Sequence, residues 1–183
     1  MSRQISRTPG FRRSAFTLVE LLVVVSIIGV LAAISVPAYQ RITASGRATK
    51  CVANLRQLGV ALSVYLSENN MTMPELKAGR ESIDDEVPVI DNTLNRYVQD
   101  PAVFACPADQ DGYALKSGTS YFWNSALNNQ ALASLNFLNL ISDHSRIPLL
   151  SDKNPFHPYS ETKVNVLYAD GHATKELRFF IDK

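Results

Sequence analysis

The stretch RRSAFTLVELLVVVSIIGVLAAISVPAYQ, Arg12 to Gln40, holds one carboxylate, Glu20, inside an otherwise apolar run. From Ala15 to Val36 the run is 22 residues long, and its polar members are Thr17, Glu20, Ser26 and Ser35. About 20 predominantly apolar residues cross a bilayer core as a helix. The apolar core of a cleaved secretory signal is shorter, about 7 to 15 residues, and here the helical pattern continues without a break. The run therefore reads as a membrane anchor. An acid inside it is costly and calls for a partner; the bland alternative is an acid that reaches back to the interface from near the helix end.

Charge is uneven on either side of the anchor. The chain has 183 residues and a formal charge of +1, but Met1 to Ala15 contains Arg3, Arg7, Arg12 and Arg13 and no acid. Basic flanks stay on the cytoplasmic side, which sends the remainder to the other side. Beyond Ala15 acids slightly outnumber bases and no basic stripe appears, so nucleic acid is not an expected partner. The length suits one domain plus the anchor.

After Pro37 the helix resumes. In KCVANLRQLGVALSVYLSENN, the residues Cys51, Leu55, Leu58, Leu62 and Tyr65 recur at steps of three and four, with Arg56, Gln57 and Ser63 elsewhere on the wheel. The Asn pair and Pro74 close it. A helix over about 16–69 is expected, roughly 80 Å long at 1.5 Å per residue. Half would be anchor and half the spine of a head. Pro37 lacks an N–H and loosens or bends a helix; a simple kink and a segment that melts on packing, Gly29 to Pro37, are both consistent with it.

The middle, Met71 to Asn129, is rich in Pro, Asp, Gly and Asn, and IDDEVPVIDN and CPADQDGY read as loops. LNRYVQD suits a short helical piece, ALASLNFLNLI suits a helix or a strand, and RIPLLSD suits a strand. In KVNVLYADGHATKELRFF, Val164, Val166 and Tyr168 alternate with Asn165, Leu167 and Ala169, and Asp170-Gly171 supplies a turn, so a β-hairpin is expected.

The opening stretch resembles the type IV pilin superfamily, which includes pilins and the pseudopilins of type II secretion and of competence. The family signal is a basic leader, a small residue and an FTLxELLVV-type run, read here as RRSA followed by FTLVELLVV. The resemblance implies cleavage by prepilin peptidase between Ala15 and Phe16 and N-methylation of Phe16. Ala15 stands where the family usually has Gly. The resemblance also implies an assembly role for Glu20, with Gly29 and Pro37 where pilin-like helices loosen or kink. The Phe16 ammonium of a neighbouring subunit would then be the partner that the buried acid needs. A second resemblance joins the spine, VFACPAD and VNVLYADGHATKEL to a pilin-like group with a C-terminal H-X9-DG motif. Asp170, Gly171 and His172 match it, whereas His157 precedes Asp170 by twelve intervening residues rather than nine.

Together these readings imply an α+β, pilin-like fold. Residues 1–15 form a basic leader, 16–38 a transmembrane helix half and 39–70 an amphipathic half. Residues 71–183 form an exported head with a small antiparallel sheet. The implied function is structural: a type II secretion pseudopilin, or a type IV pilus-like filament subunit serving adhesion, motility or DNA uptake. A tethered binding module that does not polymerise is a further alternative. Partners would be prepilin peptidase, an inner-membrane assembly platform and other pilins or pseudopilins. The location would be the inner membrane, N-terminus cytoplasmic and head periplasmic.

Other chemistry is thinly signalled. Ser, His and Asp occur, but no G-x-S-x-G elbow frames them, so no catalytic residue is assigned. Cys51 and Cys106 are the only cysteines; an oxidising compartment favours a bridge between them, and two buried thiols are the alternative. Cys51, Cys106, His144, His157 and His172 show no zinc-ligand spacing, and no metal ligand or cofactor is expected. Asp109 and Asp111 in ADQDG resemble a fragment of a calcium loop, with an ordinary acidic turn the simpler reading.

Overall fold

A computed structural model of the chain describes residues 16–158 and 162–175. The leader, Ala15 and the end of the C-terminal hairpin expected from the sequence lie outside these. The chain divides into two units, with the boundary between Gln40 and Arg41.

Helix α1, Leu18–Glu68, has 51 residues and runs through Pro37. It is long and apolar enough to cross a membrane, and its most apolar window is wholly exposed. Polar side chains in that part are satisfied locally. The hydroxyls of Ser26 and Ser35 donate to the carbonyls of Leu22 and Leu31, one turn back, at 2.8 Å each.

The later part of α1 is the spine of the head unit. Cys51, Leu55, Leu58, Leu62 and Leu66 are buried, while Arg56, Gln57 and Ser63 are exposed. Tyr65 flanks this face, half-buried, with its ring edge-on to Tyr97 at 6.0 Å. The helix stops where Asn70 and Met71 take left-handed φ values and the Met71 amide donates to the Leu66 carbonyl at 2.8 Å. That is how a helix end satisfies its orphan carbonyls.

Four short strands form one antiparallel sheet in sequence order: β1 Tyr121–Trp123, β2 Pro148–Asp152, β3 Val166–Tyr168 and β4 Ala173–Thr174. Trp123 faces Leu150, Leu150 faces Leu167, and Leu167 faces Ala173. An irregularity between Pro148 and Leu150 shifts the β2–β3 register. The sheet buries against the spine at Gly59, where a Cβ atom would meet Leu167 Cδ1 at 3.1 Å. Trp123 is buried in the same core cluster as Leu167. Its indole N–H donates to Asn128 Oδ1 at 2.8 Å, and the same amide group bonds both the N–H and the carbonyl of Leu76. A buried indole N–H without such a partner would be costly.

Several local expectations change. All three residues of β3 are buried, so the alternation read there marks the pleat and not an inside and an outside. IDDEVPVIDN is not all loop: Ile90 starts helix α2, Ile90–Leu94, with Ile90 and Leu94 buried four residues apart. ALASLNFLNLI is neither a helix nor a ladder strand; a 3-10 turn at Leu132–Ser134 precedes an isolated bridge from Phe137 to Ile141. Left-handed backbone at Leu138 and Asn139 breaks both periodicities. LNRYVQD keeps its expected short helical piece, a 3-10 helix at Asn95–Tyr97.

The close approach at Gly59 makes a prediction. Gly59→Val should lower head stability by about 1–3 kcal/mol, because the added methyls crowd Leu167 more than helix propensity gains. Thermal unfolding followed by circular dichroism measures it; an unchanged midpoint would show that the helix–sheet contact has slack.

Candidate functional site

Two places collect the chemistry that the sequence singled out. The first is the start of α1. Thr17 precedes the helix, and the Glu20 amide donates to Thr17 Oγ1 at 3.2 Å. In return, Glu20 Oε2 accepts from the Thr17 amide at 2.9 Å and from its hydroxyl at 2.8 Å. This is a reciprocal capping box, with Thr at the cap and Glu three residues on. The T-x-x-E spacing in FTLVE is the sequence signal of this box. The carboxylate thus already has partners within its own chain. Phe16 is exposed next to it. Gly29 has open space around it, and Gly29 and Pro37 both lie inside α1.

The second place is in the head. Cys51 of α1 and Cys106, which follows a 3-10 turn at Pro101–Phe104, form a disulfide with their Cα atoms 5.1 Å apart. Asn54 Nδ2 donates to the Ala105 carbonyl at 2.9 Å and ties the same loop to the same helix. Closing a loop with a sequence separation of 55 removes chain entropy from the unfolded state worth about 4 kcal/mol.

His157 lies against this bridge, with Nε2 3.6 Å from Cys106 Sγ and 3.2 Å from Asp152 Oδ2. The three residues are buried. Asp152 ends β2, and its Oδ2 also accepts the Asn165 amide at 2.6 Å. Burial pushes the Asp152 carboxyl above the usual range, against the pull of His157 and of the Asn165 amide. Among the described residues, Asp152 Oδ1 and His157 Nδ1 are buried without a hydrogen-bond partner. The structure thus seats His157 with Asp152 and the sulfurs. No sequence spacing announces this cluster, because its members come from a helix, a loop, a strand end and a turn.

The C-terminal motif occupies the β3–β4 turn. Ala169, Asp170 and Gly171 make a three-residue loop closed by bonds from the Gly171 amide to the Tyr168 carbonyl and from the Tyr168 amide to the His172 carbonyl. Gly171 has φ +88°, which a side chain would strain. The His172 ring stacks on Tyr168 at 4.6 Å, and its Nδ1 is 2.5 Å from Asp170 Oδ1. Asp109 acts as a cap: its oxygens accept the amides of Tyr113 and Ala114 at the start of α3, Tyr113–Ser117, and the Ser120 hydroxyl. Burial opposes its ionisation, but the Ala114 amide, Ser120 hydroxyl and Tyr113 amide outweigh that and hold its carboxyl below the usual range. Asp111 Oδ2 accepts from Asn154 Nδ2 at 2.8 Å.

The family model described as the prokaryotic N-terminal methylation motif matches residues 10–36. By its N-terminal segment the chain is similar to the type IV pilin and pseudopilin superfamily. This is a family of structural subunits, not of enzymes. The pilin-like chain is 47% identical over 56 residues to a fimbrial protein of Pseudomonas aeruginosa, covering 31% of this chain and 36% of that one. It is 39% identical over 59 residues to the type IV major pilin protein PilA of Myxococcus xanthus, covering 32% and 27%. It is 30% identical over 103 residues to the type II secretion system core protein G of Pectobacterium carotovorum, covering 56% and 65%. The chain thus spans about a third of the length of the first of these relatives. No solved structure matches it.

The bridge has a direct check. Thiol labelling of the purified protein, unfolded without reductant, should find no free thiol. Two labelled cysteines would remove the disulfide.

Proposed function

We propose that the chain is a pseudopilin, a structural subunit of a type II secretion pseudopilus. Its partners would be prepilin peptidase, an inner-membrane assembly platform and other subunits of its kind. The observation that favours secretion is the reach of the similarity to the type II core protein G, which extends over 56% of the chain. The pilin similarities to Pseudomonas and Myxococcus proteins stay within about a third of it. A type IV pilus-like filament is the second reading, supported by their higher identity. In either filament, the apolar half of α1 anchors the subunit in the inner membrane before assembly, with the N-terminus cytoplasmic and the head periplasmic.

In this reading Phe16 becomes the first residue of the mature chain, and its new ammonium group is what Glu20 of a neighbour meets. A charge pair in a medium that screens poorly rewards correct register. Intact-mass measurement of the membrane-inserted protein should show loss of residues 1–15 and the gain of one methyl group. A retained Met1, or a cut after Val36, would overturn the reading.

Glu20→Gln isolates the charge. Gln also serves at the third position of a capping box, so the start of α1 is kept, and a neutral amide enters lipid more easily than a carboxylate. Processing should persist while incorporation into filaments falls at least tenfold. Co-expression with type II secretion components, and separately with type IV pilus components, followed by subunit crosslinking, reads both the assembly defect and the system that accepts the wild-type chain. Equal assembly of wild type and variant in either system would remove Glu20 as an assembly contact. Acceptance by the pilus components alone would select the second reading.

A further inference from the structure

A cleft in the head gathers cations and rings that the disulfide cluster does not use. Its lining comes from residues 78–81, from helix α3, and from Phe122 of β1 and Lys153 just after β2. The Trp123 amide donates to the Ala78 carbonyl at 3.0 Å and the Ile83 amide to the Lys116 carbonyl at 2.7 Å, so the first of these segments is tied to β1 and then to α3. The cleft has a volume of about 520 Å³, which suits a small molecule. Phe122 is the middle residue of β1. Tyr121 and Trp123 on either side of it are buried, whereas Phe122 is 43% exposed and lines the cleft. Gly79 lies close under both Phe122 and Lys153: a Cβ there would meet Lys153 Cε and Phe122 Cε1, each at 3.4 Å.

Two of the three cations here are already occupied. The Arg80 guanidinium is nearly buried, pairs with Asp91 Oδ2 at 2.5 Å, and donates from Nε to the Ser117 carbonyl at 3.2 Å. Lys116 is exposed, and its Nζ donates to the Asp111 carbonyl at 2.8 Å. Lys153 differs. Its Nζ donates to the Ser117 hydroxyl at 2.7 Å and lies 5.8 Å from the centre of the Phe122 ring. Among the described residues no carboxylate is in ion-pair contact with it. Burial pushes this half-buried ammonium below the usual lysine range, against the pull of Asp91 and Asp109, and Arg80 adds to the push. Asp91 is held by Arg80, and Asp109 by the amides of α3. A partly desolvated cation without a contact anion favours one brought by a ligand. Glu81, exposed in the same lining, disfavours a second negative group. One carboxylate therefore fits better than a phosphate or a dicarboxylate.

We propose that this cleft is a binding site for a monocarboxylate with a flat apolar body, the carboxylate on Lys153 and the body against Phe122 and Tyr113. An ammonium has three N–H groups, so Lys153 Nζ donates to the ligand and keeps its bond to Ser117. The body of the ligand covers the exposed ring of Phe122 and takes apolar surface out of water. The inference is independent of the filament reading, since it concerns the head unit alone.

The test is isothermal titration calorimetry on the full chain in a non-ionic detergent at neutral pH. The heat of ligand partition into micelles is measured without protein and subtracted. A free acid and the carboxyl end of a peptide share this chemistry, so 3-phenylpropionate and the tripeptide Gly-Gly-Phe are titrated side by side. Saturable binding of either, at one site per chain, is the expected result, and the tighter of the two identifies the source. 3-Phenylpropanamide has the same body without the charge. It should bind at least about tenfold more weakly than the acid, the loss expected when a hydrogen bond between charged groups is removed. Lys153→Met keeps the stem and removes the ammonium, while Gly79→Val fills the cleft and leaves the charge; each should weaken binding by a similar factor. Lys50→Met, at an exposed position of α1, should bind as wild type does. Circular dichroism reports folding, and if one cleft variant does not fold, the other and the amide decide. The proposal is overturned if neither carboxylate binds wild type saturably, or if the amide binds as tightly as the acid. It is also overturned if a folded cleft variant keeps wild-type affinity, or if Lys50→Met abolishes binding.

Discussion

The head depends on one constraint: the spine and the sheet must touch at backbone range. Gly59 provides the place, because Leu167 occupies the space where its side chain would be. Around that point Leu55, Leu58 and Leu62 on the helix and Trp123 and Leu150 on the sheet lose water together. The sheet alone could not hold this arrangement. Its strands are two to five residues long, and such short ladders need a packed face to be stable. The polar devices follow from the same contact. Asn128 ties the segment at Leu76 to the Trp123 indole, and Asn54 and the disulfide tie the Cys106 loop to the spine.

Glu20 is already held within its own chain. In the single chain its carboxylate completes the capping box with Thr17. An acid that arrives at a bilayer edge with hydrogen bonds in place costs less than a bare one. Among the described residues nothing bonds its other oxygen, Oε1, so a second partner need not break the cap.

How far the sequence could be read depended on the range of the interactions. Length and composition signal the apolar half of α1, and steps of three and four signal its buried face, since both are written in contiguous residues. The β3–β4 hairpin was legible because Asp170-Gly171 demands a particular backbone, although the turn has three residues and places Gly171 in the left-handed region. The sulfur cluster was hidden. Its ligand-type residues are scattered along the chain, and only the fold brings His157 to Cys106. The segment 131–141 failed for a different reason: left-handed residues such as Leu138 are tertiary choices that local propensity does not foresee.

The link between Cys51 and Cys106 also has a mechanical side. A covalent bond across the fold is a shortcut for tension. When the two ends of the chain are pulled apart, force passing along the backbone crosses from residue 51 to residue 106 through sulfur. The 54 residues between them, which include the hydrophobic spine from Leu55 to Leu66 and helix α2, bear none of it. Only the segments outside the link can be drawn out, and the reach of the extended chain is shorter by the span of that loop.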